Sequence, residues 1–277
     1  MRIGLFAFLT DYSMPVEQLA VAAEERGFDS IWVPEHTHIP ANRRTTYPGG
    51  GELPKEYSHT LDPFIALAMA AGVTKTLKLA TGICLLIEHQ VLTMAKTVAT
   101  LDHLSGGRVL LGLGAGWNRE EMENHGTEYH SRFRKLEEQM RALREIWTND
   151  EATFHGEFEN FDAVWSWPKP LQQPHPPLIL GGETDHTLRR IVRMADGWLP
   201  RAMDPERVFE GMAKLNKFAS EAGRDPATIS VSVFAPPPKD TVIQRFRETT
   251  ADRVILMLPP EDATDTLKRL DRYAAWV

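Results

Sequence analysis

Residues 108–121, RVLLGLGAGWNREE, decide the fold. The first six form a short apolar run between Gly106-Gly107 and Gly114, a pattern typical of a buried parallel strand. Polar residues that suit a helix follow from Asn118. The stretch therefore predicts a strand that leads directly into a helix.

The glycines at the end of this strand allow two interpretations. Gly112 and Gly114 either let the backbone approach a ligand or relieve crowding where the strand packs on a helix. The string GLGAGW resembles a dinucleotide fingerprint, but no third glycine opens the helix and no acidic residue ends the next strand at the required spacing. Both interpretations stay open at this point.

The same alternation of strand and helix extends over the whole chain. The predicted strands cover residues 3–9, 30–33, 77–87, 108–113, 178–180, 197–199, 229–234 and 253–258. Eight such units predict a single-domain (β/α)8 TIM barrel over residues 1–277. A doubly wound sheet has the same alternation, but the number of units and the missing fingerprint favour the barrel.

Three local features refine this prediction. A hairpin about His155-Gly156, followed by the proline-rich residues 168–177, predicts an insertion between strands four and five. Ser13 is the expected N-cap of the first helix, and Asp62-Pro63 is expected to open the second. The segment up to His59 after strand two is predicted to be a long loop.

The composition of the chain limits the classes of function that it can have. The chain has 42% hydrophobic residues and a net charge of -7, which argues against the basic surface that nucleic acids require. No apolar run is long enough for a membrane span, and the N-terminus lacks a signal-peptide pattern. The only cysteine, Cys84, lies in an apolar strand. We therefore expect a cytoplasmic protein that acts on a small molecule, with neither nucleic acid nor membrane as a partner.

The reacting groups of a TIM barrel lie at the C-terminal ends of its strands. His36, next to Glu35 after strand two, is a candidate general acid or base, or else a structural histidine. Gly181-Gly182-Glu183-Thr184, followed by a helix, is a candidate anion cradle, because free amides at a helix start attract phosphate. His36 and His38 also have the spacing of two metal ligands, but strand eight ends in LMLPP and supplies no further ligand.

Three longer stretches make the chain resemble the bacterial luciferase-like monooxygenase family. They are SRFRKLEEQMRALREIWT, GEFENFDAVWSWPKPLQQPHPPLILGG and ADGWLP. The resemblance covers essentially the whole chain, and it is greatest for the branch of oxidoreductases that use the deazaflavin coenzyme F420. It implies a luciferase-like barrel with the cofactor at the C-terminal mouth.

The resemblance also assigns residues to roles. It places the cofactor phosphate on Gly181, Gly182, Glu183 and Thr184, and it makes His36 the catalytic residue. The remaining cofactor-binding residues it implies are Glu35, Gly82, Ile83, Leu85, Ala115, Gly116 and Glu120. A cis peptide between Gly82 and Ile83 is a feature of the family. Trp117 stands where the family's sugar-phosphate dehydrogenases have a catalytic glutamate, which argues against that reaction.

Four functions follow as hypotheses. The first is hydride transfer between F420 and an unidentified organic substrate, and the second is an FMN-dependent monooxygenase of the same fold. A metal-dependent hydrolase built on His36 and His38 and a cofactor carrier without turnover are the others. Arg43, Arg44 and Lys55 in the long loop are candidate contacts for the anionic tail of F420. The sequence leaves a homodimer open.

Overall fold

Eight parallel strands close into a barrel in the computed structural model, which describes residues 1–277. The structure has ten strands in all, which are β1 Arg2–Ala7, β2 Ser30–Val33, β3 Lys78–Thr81, β4 Val109–Leu113, β5 Ala152–His155, β6 Asn160–Val164, β7 Leu178–Gly181, β8 Gly197–Leu199, β9 Ser230–Phe234 and β10 Arg253–Leu258. The barrel order is β1-β10-β9-β8-β7-β4-β3-β2, and β5 and β6 form a separate antiparallel pair. The predicted TIM barrel, with its insertion between the fourth and fifth barrel strands, is confirmed.

Helices cover the outside of the barrel. They are α1 Val16–Glu25, α2 Glu56–His59, α3 Pro63–Val73, α4 Val91–Ser105, α5 Arg119–Asn124, α6 Arg132–Thr148, α7 Asp185–Met194, α8 Pro205–Glu221, α9 Asp240–Arg247 and α10 Ala263–Ala274. Short 3-10 turns lie at Leu86–Glu88 and Pro226–Thr228. No helix combines the length and the apolarity that crossing a membrane would require.

Apolar side chains on the two faces of the strands form two buried clusters. The larger fills the space between strands and helices, and it includes Leu5, Ile31 and Leu79. The smaller contains Phe6 and Trp32 and fills the barrel interior, because successive strand residues point to opposite faces. Both clusters fix the strand ends on which the site is built.

Some local predictions are confirmed and others are wrong. Asp62 caps α3 by accepting from the amide of Ile65 at 2.9 Å, as expected. Ser13 does not cap α1, because its hydroxyl instead accepts from the amide of Thr10 at 2.9 Å and Pro15 precedes the helix. The first strand ends at Ala7 instead of residue 9. The long loop ends in the helical turn α2.

The third strand is much shorter than predicted. It ends at Thr81, and Cys84 keeps only an isolated bridge to Leu113 before the turn Leu86–Glu88. The amide of Leu85 donates to the carboxylate of Glu35 at 2.6 Å and so leaves the strand ladder. A side chain that follows β2 thus redirects a segment whose apolar pattern alone predicted a continuous strand.

Candidate active site at the barrel mouth

The chain leaves the ladder in a bulge at the C-terminal end of β3. The peptide bond between Gly82 and Ile83 is cis, as predicted. A Cβ on Gly114 would overlap the Ile83 side chain, and one on Gly112 would overlap the carbonyl of Thr81. Gly112 and Gly114 therefore relieve crowding, although they do so against β3 and its bulge and not against a helix.

Glu35 is buried directly behind this bulge. Besides the bond from Leu85, its carboxylate lies 2.8 Å from Nε2 of His89. Burial by itself lowers the pKa of His89, but the hydrogen bond to Glu35 raises it, and the pKa is raised on balance. Burial, followed by the charge of Glu35, raises the pKa of the Cys84 thiol, so that this cysteine stays protonated. Each oxygen of the Glu35 carboxylate thus has a partner in the protein, and the carboxylate supports the loop at Leu85.

His36 has a carboxylate partner, and it is not Glu35. Its Nδ1 lies 2.8 Å and 3.0 Å from the two carboxylate oxygens of Glu121 on α5. Both side chains are nearly buried, with 7% of His36 and 1% of Glu121 exposed. The carboxylate fixes the orientation of the ring and leaves Nε2 without a hydrogen-bond partner in the protein. This is the geometry of a positioned general acid or base.

Aromatic side chains from the long loop after β2 and from the loop after β4 cover His36. The ring of Tyr57 lies 5.2 Å from that of His36, and the ring of Trp117 lies 6.0 Å from it. Tyr47 contacts both covering rings and accepts the Tyr57 hydroxyl hydrogen bond at 3.2 Å. Burial and this hydrogen bond raise the pKa of Tyr57. Trp165, by contrast, is exposed on the insertion and bonds to Glu151.

Glu120 holds the long loop in place. Its carboxylate accepts from the hydroxyl of Thr45 at 2.7 Å and from the amide of Arg44 at 2.9 Å. The bond from Thr45 and those from the loop amides lower the pKa of Glu120 to about 2. The side chain that the resemblance assigned to the cofactor is therefore engaged by the loop.

The glycine turn after β7 has the features of an anion cradle. Gly182 has a φ of +107°, and a Cβ there would lie 3.2 Å from Thr187. The amides of Gly182, Glu183 and Thr184 donate to no acceptor in the protein. Thr184 caps α7 by accepting from the amide of Thr187 at 3.2 Å. Free amides at the start of a ten-residue helix suit a phosphate group.

Arg201 is a site residue that the sequence reasoning missed. It follows β8, and its guanidinium lies 3.0 Å from the Glu183 carboxylate. Arg201 also lowers the pKa of Tyr57, although burial of the phenol has the larger and opposite effect. A cation therefore stands beside the turn, between it and the aromatic cover. A basic residue directly after a barrel strand was the signal available.

The site also contains a buried amide that the protein leaves unsatisfied. Asn118, at the start of α5, is 1% exposed, and neither polar atom of its side chain has a partner. Ala115 and Gly116 precede Asn118 in the loop after β4, and a Cβ on Gly116 would be 3.5 Å from Leu85. An unpaired buried amide and free backbone amides fit a flat cofactor with a polar edge and a phosphate.

His38 does not join His36 in a metal-ligand arrangement. Its Nδ1 lies 2.9 Å from the Thr37 hydroxyl, and its Nε2 lies 2.8 Å from the side-chain nitrogen of Asn124. His36 is held by Glu121 instead. The geometry gives the hydrolase hypothesis no support.

Comparisons of sequence identify relatives of this chain. The family model for luciferase-like monooxygenases matches residues 11–265. An uncharacterized protein of Mycobacterium tuberculosis is 39% identical, covering 99% of this chain and 98% of the relative. An F420-dependent hydroxymycolic acid dehydrogenase of the same species is 27% identical over 76% of this chain and 55% of the relative. An FMNH2-dependent dimethylsulfone monooxygenase of Pseudomonas putida is 32% identical over 58% and 43%.

Solved structures share the fold. The monooxygenase RslO1 of Streptomyces bottropensis has a TM-score of 0.81 at 20% identity, covering 100% of this chain and 98% of that one. The F420-dependent tetrahydromethanopterin reductase of Methanopyrus kandleri has a TM-score of 0.73 at 17% identity, covering 100% and 99%. At these identities the likeness establishes the barrel and not the reaction.

Proposed function

Because the chain belongs to the luciferase-like monooxygenase family, we propose that it is an oxidoreductase that transfers a hydride between coenzyme F420 and a small organic substrate. The observation that carries the proposal is the His36–Glu121 pair, which stands at the same mouth as an anion cradle with free amides. Hydride transfer needs both a bound cofactor and a positioned proton donor or acceptor.

The residues that would hold the cofactor are those of the cradle and the bulge. Gly181, Gly182 and the amide of Thr184 would bind its phosphate, and Arg201 would add positive charge beside them. The ring would lie against the backbone of Gly82 and Ile83 and against Leu85, Ala115 and Gly116. When bound, the deazaflavin supplies the carbon that gives or takes the hydride.

The protein's own chemistry is proton transfer and exclusion of water. His36 exchanges a proton with the substrate at Nε2, while Glu121 holds Nδ1 and stabilises the charged ring. Tyr57 and Trp117 cover the histidine, which keeps the surroundings of the reacting group apolar. The support of the loop by Glu35 keeps Leu85 in position.

An FMN-dependent monooxygenase is the second candidate, since one relative depends on FMNH2. The same cradle and bulge would serve its phosphate and ring. Preference for F420 rests on the resemblance of the chain and on an F420-dependent relative that matches more of it.

A substrate screen with F420 tests the proposed reaction. Purified protein is incubated with F420 and panels of alcohols and carbonyl compounds, and the fluorescence of the oxidised coenzyme is followed. We expect a change that requires the protein and that is much slower with His36→Ala. Oxygen consumption with reduced FMN, in the absence of any F420 turnover, would instead support the monooxygenase.

A further inference from the structure

Three side chains with metal-binding donor atoms meet in the space behind the bulge of β3. One carboxylate oxygen of Glu35, the Sγ of Cys84 and a ring nitrogen of His89 all lie within 4.8 Å of one another. Cys84 is fully buried, and the exposed fraction of the side chain is 1% for Glu35 and 23% for His89. The proton transfer proposed for His36 uses none of these donor atoms.

Separate points of the chain supply the three donors. Glu35 follows β2, Cys84 follows the bulge directly, and His89 comes after the turn Leu86–Glu88. Because β2 and β3 pair in parallel, the ends of both strands meet at the same edge of the barrel. The set of donors therefore exists only in the folded chain, and no short sequence motif announces it.

The donor types favour a borderline divalent ion such as Zn²⁺. Thiolate sulfur, imidazole nitrogen and carboxylate oxygen all bind zinc, whereas Mg²⁺ and Ca²⁺ prefer oxygen alone. Ligands on tetrahedral zinc stand roughly 3.3 to 3.7 Å apart, given bonds of about 2.0 to 2.3 Å. Oε1 of Glu35 and Nε2 of His89, now 2.8 Å apart, have to separate by only about half an ångström to reach that spacing.

The other bond of Glu35 is compatible with a bound ion. Its Oε2 accepts from the amide of Leu85 at 2.6 Å, which fixes the plane of the carboxylate and leaves Oε1 for the metal. The partly exposed ring of His89 gives the ion a path from solvent. A water molecule on that side completes a site of three protein ligands, as in zinc centres that keep an open position.

We propose that Glu35, Cys84 and His89 form a zinc site that fixes the bulge of β3 to the end of β2. Binding breaks the S–H bond of Cys84 and forms a metal–sulfur bond, and the proton leaves to solvent. The ring hydrogen of His89 resides on Nδ1 once Nε2 binds the ion. The ion has a structural role, because it holds the segment from Cys84 to His89 against Glu35. It takes no part in the proposed hydride transfer.

Titration with Co²⁺ tests this site in the protein without cofactor. A cobalt–thiolate bond absorbs in the near ultraviolet, and Cys84 is the only cysteine of the chain, so the band reports on this position alone. Protein freed of metal by a chelator is titrated with CoCl₂ at neutral pH. We expect a thiolate band that saturates at one ion per chain and that Zn²⁺ removes. No band after prolonged incubation with excess Co²⁺ would overturn the proposal.

Substitutions identify the ligands. Cys84→Ser should remove the thiolate band. His89→Gln should weaken Co²⁺ binding by roughly tenfold or more, because even a partner outside the ligand shell contributes that much to metal affinity. His38→Gln is the control, since this histidine bonds to Thr37 and Asn124 instead, and it should keep both band and affinity. Unchanged affinity in His89→Gln would contradict the assignment.

Stability gives a second measurement, which needs no substitution at the buried cysteine. An ion that binds only the folded chain favours it by mass action, about a hundredfold at a concentration of 100 times Kd. Zn²⁺ should therefore raise the Tm of the parent and of His38→Gln, and raise that of His89→Gln much less. An equal Tm of the parent with and without Zn²⁺ would count against the site. Cofactor titration decides the proposed function separately.

Discussion

Nδ1 of His36 lies 2.8 Å from a carboxylate oxygen of Glu121, although 85 residues separate the two in the chain. The barrel brings them together, because His36 follows β2 and Glu121 lies on the helix after β4. The sequence neighbour Glu35 is not the partner, since neighbouring side chains at a strand end point apart and Glu35 turns inward to Leu85.

Substitutions in the His36–Glu121 pair should change turnover and leave cofactor binding nearly unchanged. His36→Ala should lower kcat by about 10²- to 10⁴-fold, as expected for loss of a general acid or base, and should leave the cofactor Kd within a few-fold. Glu121→Gln should lower kcat less and should change its dependence on pH. His38→Ala is the control and should have little effect. Unchanged single-turnover hydride transfer by His36→Ala at every pH would return this residue to a structural role.

Gly182 should be necessary for cofactor binding. Gly182→Val places a side chain against Thr187 at a backbone φ of +107° and disturbs the free amides of the cradle. Cofactor affinity, measured by fluorescence titration, should fall greatly. Gly223→Val is the control, because Gly223 has a φ of +70° and is exposed, with open space around it. If both variants bind as the parent does, the phosphate site lies elsewhere.

Cations of the long loop should recognise the tail of F420. Arg44 is 88% exposed and lies 3.6 Å from Glu120, and Lys55 stands 4.2 Å from the ring centre of Tyr12. Replacing Arg43, Arg44 and Lys55 by alanine should raise Kd more for F420 with a long glutamyl tail than for a short-tailed form. The control replaces three exposed cations of the outer helices, Lys217, Lys268 and Arg272. Equal changes for both tail lengths would contradict this role.

Glu88 should also make stability depend on pH. Burial and Glu121 raise the pKa of Glu88 to about 9 in the folded chain, whereas the unfolded value is near the ordinary 4.5. Between these values the folded chain binds the extra proton, so the free energy of unfolding should fall as pH rises. Chemical denaturation of Glu88→Gln should show a shallower decline from pH 5 to 8. Parallel curves for parent and variant would mean that Glu88 is ionised in the folded protein.

Much of the barrel could be predicted from its local patterns. Three strands begin and end where the apolar patterns indicated: β2, β8 and β10. The predicted third strand was too long, because its apolar pattern continues through Cys84 and Ile87. In the structure the amide of Leu85 donates to Glu35 instead of to a neighbouring strand. A contact between distant residues leaves no mark on local periodicity.

The candidate site was predictable in part for the same reason. The cradle from Gly181 to Thr184 can be predicted from the sequence, since glycines before a capped helix are a local signal. The partners of His36 and Glu183 are not, because Glu121 and Arg201 reach them only through the closure of the barrel. The unpartnered state of Glu88 likewise depends on packing that no short motif encodes.

The most direct test is a competition between F420 and FMN for the purified protein, followed by fluorescence. The account predicts that F420 binds more tightly than FMN, by roughly tenfold or more, which corresponds to about 1.4 kcal/mol of binding free energy. It also predicts that Gly182→Val abolishes this binding. Tighter binding of FMN, or no binding of F420 by the folded parent protein, would contradict the central claim.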